Sequence, residues 1–338
     1  MPLCYSAPTR VIPPSARRIL KLIFCFSIID MKVKHVPIYD KNPDQCVNNE
    51  YPTSYHAFRQ PCLQYICGCR TAGKSYLASK ILAQAKKEKT FDIIYMITPS
   101  FNSNKAYFGK YIDEVNVYDP TNDSISKVIA QVEADRDLWE EYLVEKEMYE
   151  KYKKDLKNKK YSFTFDEIIA IETMGWLDGK KPTWKYEREE PPKSLLILDD
   201  CLGSPAILHS SGLNRIATLN RHIAPLKENH KMRSACGLAV IILSQSYRMQ
   251  NGVGRILREN LSELTLFLNR QEKQMEAIKE ELANVVEVEL FEKAYAYATK
   301  QKFGNLTVSF KPKCPTMTFR KNLNELILMD ELPCDCPK

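Results

Sequence analysis

The chain contains no stretch approaching the roughly 18 apolar residues that a membrane-spanning helix needs, so no stable membrane insertion is expected of its 338 residues. Leu22 to Ile29 is apolar and follows Arg17, Arg18 and Lys21, in the manner of a signal segment. It lacks the small-residue cleavage site that would complete one. Met31 then opens a fresh polar run and is a candidate start codon, which would leave residues 1–30 untranslated. Cysteine lacks regular spacing: there are eleven, an odd number, and Cys67 and Cys69 bracket Gly68, where a structural disulfide is implausible. Free thiols in a reducing compartment are expected. Cys334-Asp335-Cys336 has no second pair to complete a metal site, so a frayed tail is the preferred reading. There is no internal repeat, and no low-complexity segment beyond one lysine-rich stretch.

What is present has the composition of a globular protein, 44% hydrophobic and 27% charged. The formal charge of +7 favours a polyanionic partner over a cationic one. Length suits one large domain, or one domain plus an insertion.

The most informative stretch is Tyr65-Ile66-Cys67-Gly68-Cys69-Arg70-Thr71-Ala72-Gly73-Lys74-Ser75-Tyr76-Leu77. It satisfies G-x-x-x-x-G-K-[ST], the phosphate-binding loop pattern. Glycines let the backbone curl so that successive N–H groups point at phosphate oxygens. Lys74 would reach the β and γ phosphates, the Ser75 hydroxyl would hold Mg²⁺, and residues Gly68 to Tyr76 would cradle ATP. The context agrees. Cys62 to Cys67 reads as a buried strand, and Ser75 to Lys87 as a helix with Leu77, Ile81, Leu82 and Ala85 on one face.

Residues 32–61, interrupted by Pro37, Pro43, Pro52 and Pro61, read as an extended lead-in. Phe91 to Thr98 reads as a strand buried on both faces, Pro99 to Asn104 as a loop, and Val115 to Tyr118 as a weaker strand. Ser124 to Lys160, without Pro or Gly, predicts one or two amphipathic helices. Lys153, Lys157 and Lys160 share a face interleaved with tyrosines. That face suits either a nucleic-acid backbone or, more simply, solvent. A second helix is expected over Phe165 to Met174, then a polar loop from Gly175 to Pro192.

Ser194 to Asp200 reads as a buried strand delivering carboxylates to the edge of a parallel sheet, where ligands bind. Asp199 is the candidate Mg²⁺-side acid and Asp200 the candidate base that polarises the attacking water. Leu213 to Ile223 is helical in pattern, with Arg215, Arg221 and His222; Lys227, His230, Lys231 and Arg233 follow. This basic cluster could contact DNA or supply an arginine to a neighbouring subunit's γ-phosphate. Leu238 to Leu243 is a strongly apolar strand ending in Ser244-Gln245-Ser246, and an amide there could report on the γ-phosphate. Thr265 to Leu268 and Leu306 to Phe310 read as further strands, with helices over Gln271 to Asn284 and Val288 to Thr299.

Taken in order, the Gly68–Ser75 loop, Ile197-Leu198-Asp199-Asp200, Arg221-His222, a strand ending in Ser244-Gln245, and Arg258-Glu259-Asn260 resemble one family. It is the DNA-packaging ATPases of large double-stranded DNA viruses, virophages and polinton-like elements, a poxvirus-type branch of the FtsK/HerA superfamily. The resemblance covers roughly residues 60–310. It implies an α/β fold with a RecA-like P-loop core, a mostly parallel sheet flanked by helices, and the Gln245 strand between those carrying Lys74 and Asp199. It further implies a hexameric or pentameric ring that hydrolyses ATP with Mg²⁺ and drives double-stranded DNA into a preformed capsid. Contacts with capsid vertex proteins, and residence in the host cytoplasm, a viral factory or the virion, come with it. Arg221 is its first candidate for the trans-acting arginine and Arg258 its second. Three regions are expected: an extension over 1–60, an ATPase domain over 61–310 with a charged helical insertion at about 124–190, and a tail over 311–338.

Overall fold

The computed structural model describes residues 31–35, 49–51, 53–54, 57–158, 163–230, 233–248, 254–283 and 285–329. Residues 1–30, Lys160, Lys231 and Cys334-Asp335-Cys336 lie outside them.

After β1 (Met31–His35), the fully buried β2 (Leu63–Cys67) runs into the glycine loop and α1 (Lys74–Glu88). Then come β3 (Ile93–Ile97), α2 (Phe101–Phe108), the two-residue β4 (Val117–Tyr118), α3 (Ser124–Lys157) and α4 (Phe165–Thr173). β5 (Ser194–Asp199) is followed by α5 (Pro205–Leu208), α6 (Ser211–Leu219), β6 (Pro225–His230) and β7 (Arg233–Ala235). The chain continues through β8 (Leu238–Ser244), α7 (Arg255–Glu259), β9 (Glu263–Phe267), α8 (Glu272–Leu282) and α9 (Val288–Thr299). It closes with β10 (Asn305–Ser309), β11 (Phe319–Lys321) and β12 (Glu325–Met329).

Ten strands form one sheet in the order β1-β12-β11-β10-β9-β2-β8-β5-β3-β4. From β9 to β4 every pairing is parallel; from β9 to β1 every pairing is antiparallel. The parallel strands are near-continuous apolar runs because helices cover both faces. One face packs Leu63, Tyr65, Leu196, Leu198, Val240 and Ile242 against α3, α6, α8 and α9. The other packs Ile66, Met96, Ile197 and Ile241 under α1 and α2. As expected, β8 lies between β2 and β5, bringing the end of the Gln245 strand beside both the glycine loop and Asp199.

Several expectations are corrected. Pro99 to Asn104 is not a loop throughout, because α2 begins at Phe101. Its serine and asparagines argue weakly for helix, but burial of Phe108 overrides that preference. Of the one or two helices expected from Ser124, the chain forms one of 34 residues, in keeping with that expectation, and Ile125, Val128, Ile129 and Val132 place its first turns in the main core. Its later part makes a satellite core with α4, in which Tyr149 and Tyr152 pack against Ile171 and Trp176. Those tyrosines therefore face inward rather than toward a nucleic acid. Residues 319–329, expected in a tail, add β11 and β12 to the sheet, and β1 from the expected extension pairs with β12. Cys62, Cys67, Cys69, Cys201 and Cys236 are free thiols, whereas Cys314 is disulfide-bonded, against the all-thiol expectation.

Candidate functional site

β2 ends in buried Cys67, and the next amide, Gly68 N–H, donates to the carbonyl of Ser244 at 3.1 Å. That bond ties the start of the loop to the end of β8. Thr71 has φ 65° and Gly73 φ 106°, both in the left-handed region, so the chain reverses sharply into α1. A Cβ on Gly68 would lie 2.9 Å from the Phe267 Cβ, which explains why no larger residue fits there. Lys74 opens α1 and is buried; its ammonium donates to the carbonyls of Gly68 (2.9 Å) and Cys69 (3.2 Å). The loop thus closes around the lysine. Cys69, Arg70, Thr71 and Tyr76 are exposed, while Ala72, Gly73 and Ser75 are half-buried. Burial pushes the Cys67 thiol up to about 12, leaving Cys69 as the exposed thiol of the pair.

Asp199 ends β5, only 3% exposed. Its Oδ2 accepts from Asn104 Nδ2 at 2.9 Å and from Thr98 Oγ1 at 3.3 Å. Burial first, then the neighbouring charge of Asp200, raises its carboxyl to about 6; Thr98, Asn104 and the Lys74 charge oppose the rise. Asp200 is exposed, at φ 49°, a conformation aspartate tolerates better than most residues. Its N–H donates to Leu243 O at 3.1 Å, and its Oδ2 accepts from Gln245 Nε2 at 3.2 Å. Lys74, Asp199, Asp200 and Gln245 therefore meet at the carboxyl edge of three adjacent strands. Asp199, Asp200 and the Ser75 hydroxyl are hard oxygen donors, the set that Mg²⁺ takes together with phosphate oxygens and water. Among the described residues no group of three or more His, Cys, Asp or Glu is placed to hold a metal by itself.

The arginines behave differently. Arg221 lies in a 3-10 turn over Asn220–His222, where Asn220 Nδ2 donates to Leu238 O at the start of β8. At about 3.3 Å per residue, that is about 23 Å from Gln245, at the opposite edge of the sheet. Arg221 is thus not gathered into its own chain's site. Arg258, on α7, donates through Nε to both oxygens of Glu281 (2.9 and 3.1 Å) and lies against the Tyr247 ring. Arg233 is buried and donates to the carbonyls of Pro191, Pro192 and Cys236, so it is a structural clasp and not a DNA contact. Arg215 and Lys227 pair with Glu133 and Glu140 on α3.

Sequence reasoning missed Thr98 and Asn104, the two donors to Asp199. It also missed Gln274, which accepts from Tyr247 N–H at 3.3 Å and donates to Ser246 Oγ at 2.7 Å, steadying the segment after Gln245. Thr98, the polar residue that ends an apolar strand, was the available signal; Asn104 carried none.

No family model matches the chain, and no curated protein sequence matches it. Among solved structures it is similar to the genome packaging NTPase B204 from Sulfolobus turreted icosahedral virus 2 in complex with ATP-gammaS. That likeness has 15% identity and a TM-score of 0.39, over 78% of this chain and 98% of that one. It is also similar to the pCW3 conjugation coupling protein TcpA in its monomer form with ATPgS, at 15% identity and a TM-score of 0.41, over 87% of this chain and 69% of that one. A third is the cytoplasmic domain of the Thermomonospora curvata type VII secretion ATPase EccC, at 11% identity and a TM-score of 0.34, over 82% and 26%. At such scores the likenesses carry no argument about function, which stands on this chain's own residues.

Proposed function

We propose that the chain is an ATP-hydrolysing motor that moves double-stranded DNA, and that it packages viral DNA into a preformed capsid as a hexameric or pentameric ring. The observation that carries the hydrolytic part is the Gln245–Asp200 hydrogen bond, on neighbouring strand ends beside the Lys74 loop. Amides of the loop after Gly68, exposed at Cys69, Arg70 and Thr71 and half-buried at Ala72 and Gly73, bind the phosphates, and the Lys74 ammonium leaves its two carbonyl partners for phosphate oxygens. Ser75 and Asp199 would hold Mg²⁺, which when bound neutralises charge on the phosphates. Asp200 accepts the proton of the attacking water, and the Gln245 amide orients that water. Because Gln245 touches Asp200 directly, loss of the γ-phosphate changes the partner available to both.

DNA as the cargo, the ring and the capsid rest on the ordered motifs that resemble packaging ATPases. The net charge of +7 agrees with a polyanionic cargo. Arg221, which is not gathered into its own chain's site, is the first candidate for an arginine that serves a neighbouring subunit. The test is ATPase activity with and without duplex DNA, for the wild type, Lys74→Ala and Asp200→Asn. DNA-stimulated turnover lost in both variants supports the motor; stimulated turnover retained in both sinks it. Hydrolysis indifferent to DNA would favour a nucleotide-gated binding protein. DNA unwinding without uptake into capsids would favour a helicase or a segregation or conjugation pump.

A further inference from the structure

Sheet order fixes which way a nucleotide must lie in the loop. Asp199, Asp200 and Gln245 all sit on β5 and β8, on one flank of β2. A terminal phosphate facing those groups leaves the nucleoside over the opposite flank, the side of β9 and β10. There the described residues offer one unusual side chain. Phe303 is 52% exposed, stands at φ 66°, and is separated from the start of β10 by Gly304 alone. A Cβ on Gly73 would lie 3.4 Å from its ring, so the aromatic edge rests on the phosphate loop itself.

The ring is held where it is. Gly304 N–H donates to Gln301 O at 3.0 Å, and Asn305 Nδ2 donates to Phe303 O at 3.3 Å. A Cβ on Gly304 would lie 2.3 Å from Ala298 O, so the turn is pressed against the end of α9. Lys302 carries its ammonium 5.0 Å from the Phe303 ring centroid, bordering the ring with positive charge suited to a polyanion. A bulky residue with positive φ is strained, and the exposed ring recovers little by burial; glycine would suit the backbone better. Folding alone gives no reason for phenylalanine here.

We infer that Phe303 is the stacking platform for the nucleobase, and that it makes the site select purine over pyrimidine nucleotides. This rests on the phosphate-loop reading of Gly68 to Ser75. A purine offers two fused rings to the platform and a pyrimidine one, so preference follows overlap area rather than hydrogen-bond pattern.

The test is calorimetric titration of the full chain with ATP, CTP and inorganic tripolyphosphate, for the wild type, Phe303→Ala, Phe303→Trp and Lys74→Ala. Phe303→Ala should weaken ATP about tenfold or more, bring ATP and CTP close together, and leave tripolyphosphate unchanged; Phe303→Trp should keep the purine preference. Phe303→Gly should match or exceed the wild type in thermal stability while binding ATP as poorly as Phe303→Ala. Unchanged ATP affinity in Phe303→Ala, alongside loss in Lys74→Ala, overturns the platform and keeps the phosphate loop. Equal weakening of ATP and tripolyphosphate by Phe303→Ala also overturns it, as a structural effect on the loop. Unchanged affinities in Lys74→Ala would remove the phosphate-loop reading together with this one.

Discussion

Gln245 and Asp200 are joined by a 3.2 Å hydrogen bond, although 45 residues separate them in sequence. The bond exists because β8 and β5 pair in parallel with Leu243 opposite Asp199, which brings both strand ends to one point. Each is the first residue past its strand, where backbone direction is free to change and side chains project from the sheet edge.

Residues that act as a unit lose activity non-additively. Gln245→Ala and Asp200→Asn should each lower kcat about a hundredfold or more with little change in the KM for ATP. The double variant should lose no more than the worse single. Steady-state hydrolysis measures all three, and multiplicative losses would mean the two act separately.

Asn104, on α2, donates through Nδ2 to Asp199 Oδ2 at 2.9 Å. Outer-shell donors of this kind orient a metal-side carboxylate, and removing one typically costs about tenfold or more in metal affinity. Asn104→Ala should therefore raise the Mg²⁺ concentration for half-maximal hydrolysis by about that factor, while saturating Mg²⁺ restores most of kcat. A fall in kcat that Mg²⁺ does not rescue would count against this role.

The loop at Gly68 to Ser75 was legible because its chemistry is local: glycine positions, a lysine and a hydroxyl within one turn. The parallel core was legible for a related reason, since strands covered on both faces must be apolar throughout. What stayed hidden depends on pairings across the chain. Asn104 meets Asp199 over 95 residues, and nothing in Phe101-Asn102-Ser103-Asn104 marks it. Arg233 reads as one member of a basic surface cluster until the proline carbonyls of Pro191 and Pro192 bury it. The strand expected over Thr265 to Leu268 in fact begins at Glu263, which is buried there.

Glu263 makes stability depend on pH. Burial raises its carboxyl to about 8, while Ser309 Oγ, donating at 2.8 Å, and the Arg320 charge oppose the rise. Below the ordinary glutamate value of 4.5 both folded and unfolded chains hold the proton, and the residue contributes nothing. Between 4.5 and about 8 the unfolded chain releases the proton and the folded chain keeps it, so folding grows steadily costlier. Above about 8 the cost is constant. The wild type should thus lose melting temperature, relative to Glu263→Gln, as pH rises from about 5 to about 8. Parallel pH profiles for the two proteins would show that Glu263 is ionised in the fold.

Asp135 ties α3 to residues 185–186 at the far end of the helical insertion. It lies on α3 with its side chain 2% exposed, and accepts from Lys185 Nζ at 2.5 Å and Tyr186 Oη at 3.2 Å. Beside it, Trp139 meets Trp184 edge-on at 4.9 Å and His230 at 5.5 Å, so α3, residues 184–186 and β6 converge here. Removing one partner from a buried pair leaves a carboxylate short of a donor in a place that water reaches poorly. Lys185→Met should cost roughly 2–3 kcal/mol, less than the roughly 3–5 kcal/mol of a fully buried pair because Lys185 itself is half-exposed. Lys151→Met breaks the pair between α3 and Glu167, whose lysine is well exposed, and should change stability little. Chemical denaturation of both variants checks the contrast. Limited proteolysis should then cut the 175–192 segment faster in Lys185→Met than in Lys151→Met. Equal effects of the two substitutions would mean that the aromatic cluster, and not the buried carboxylate, holds the insertion in place.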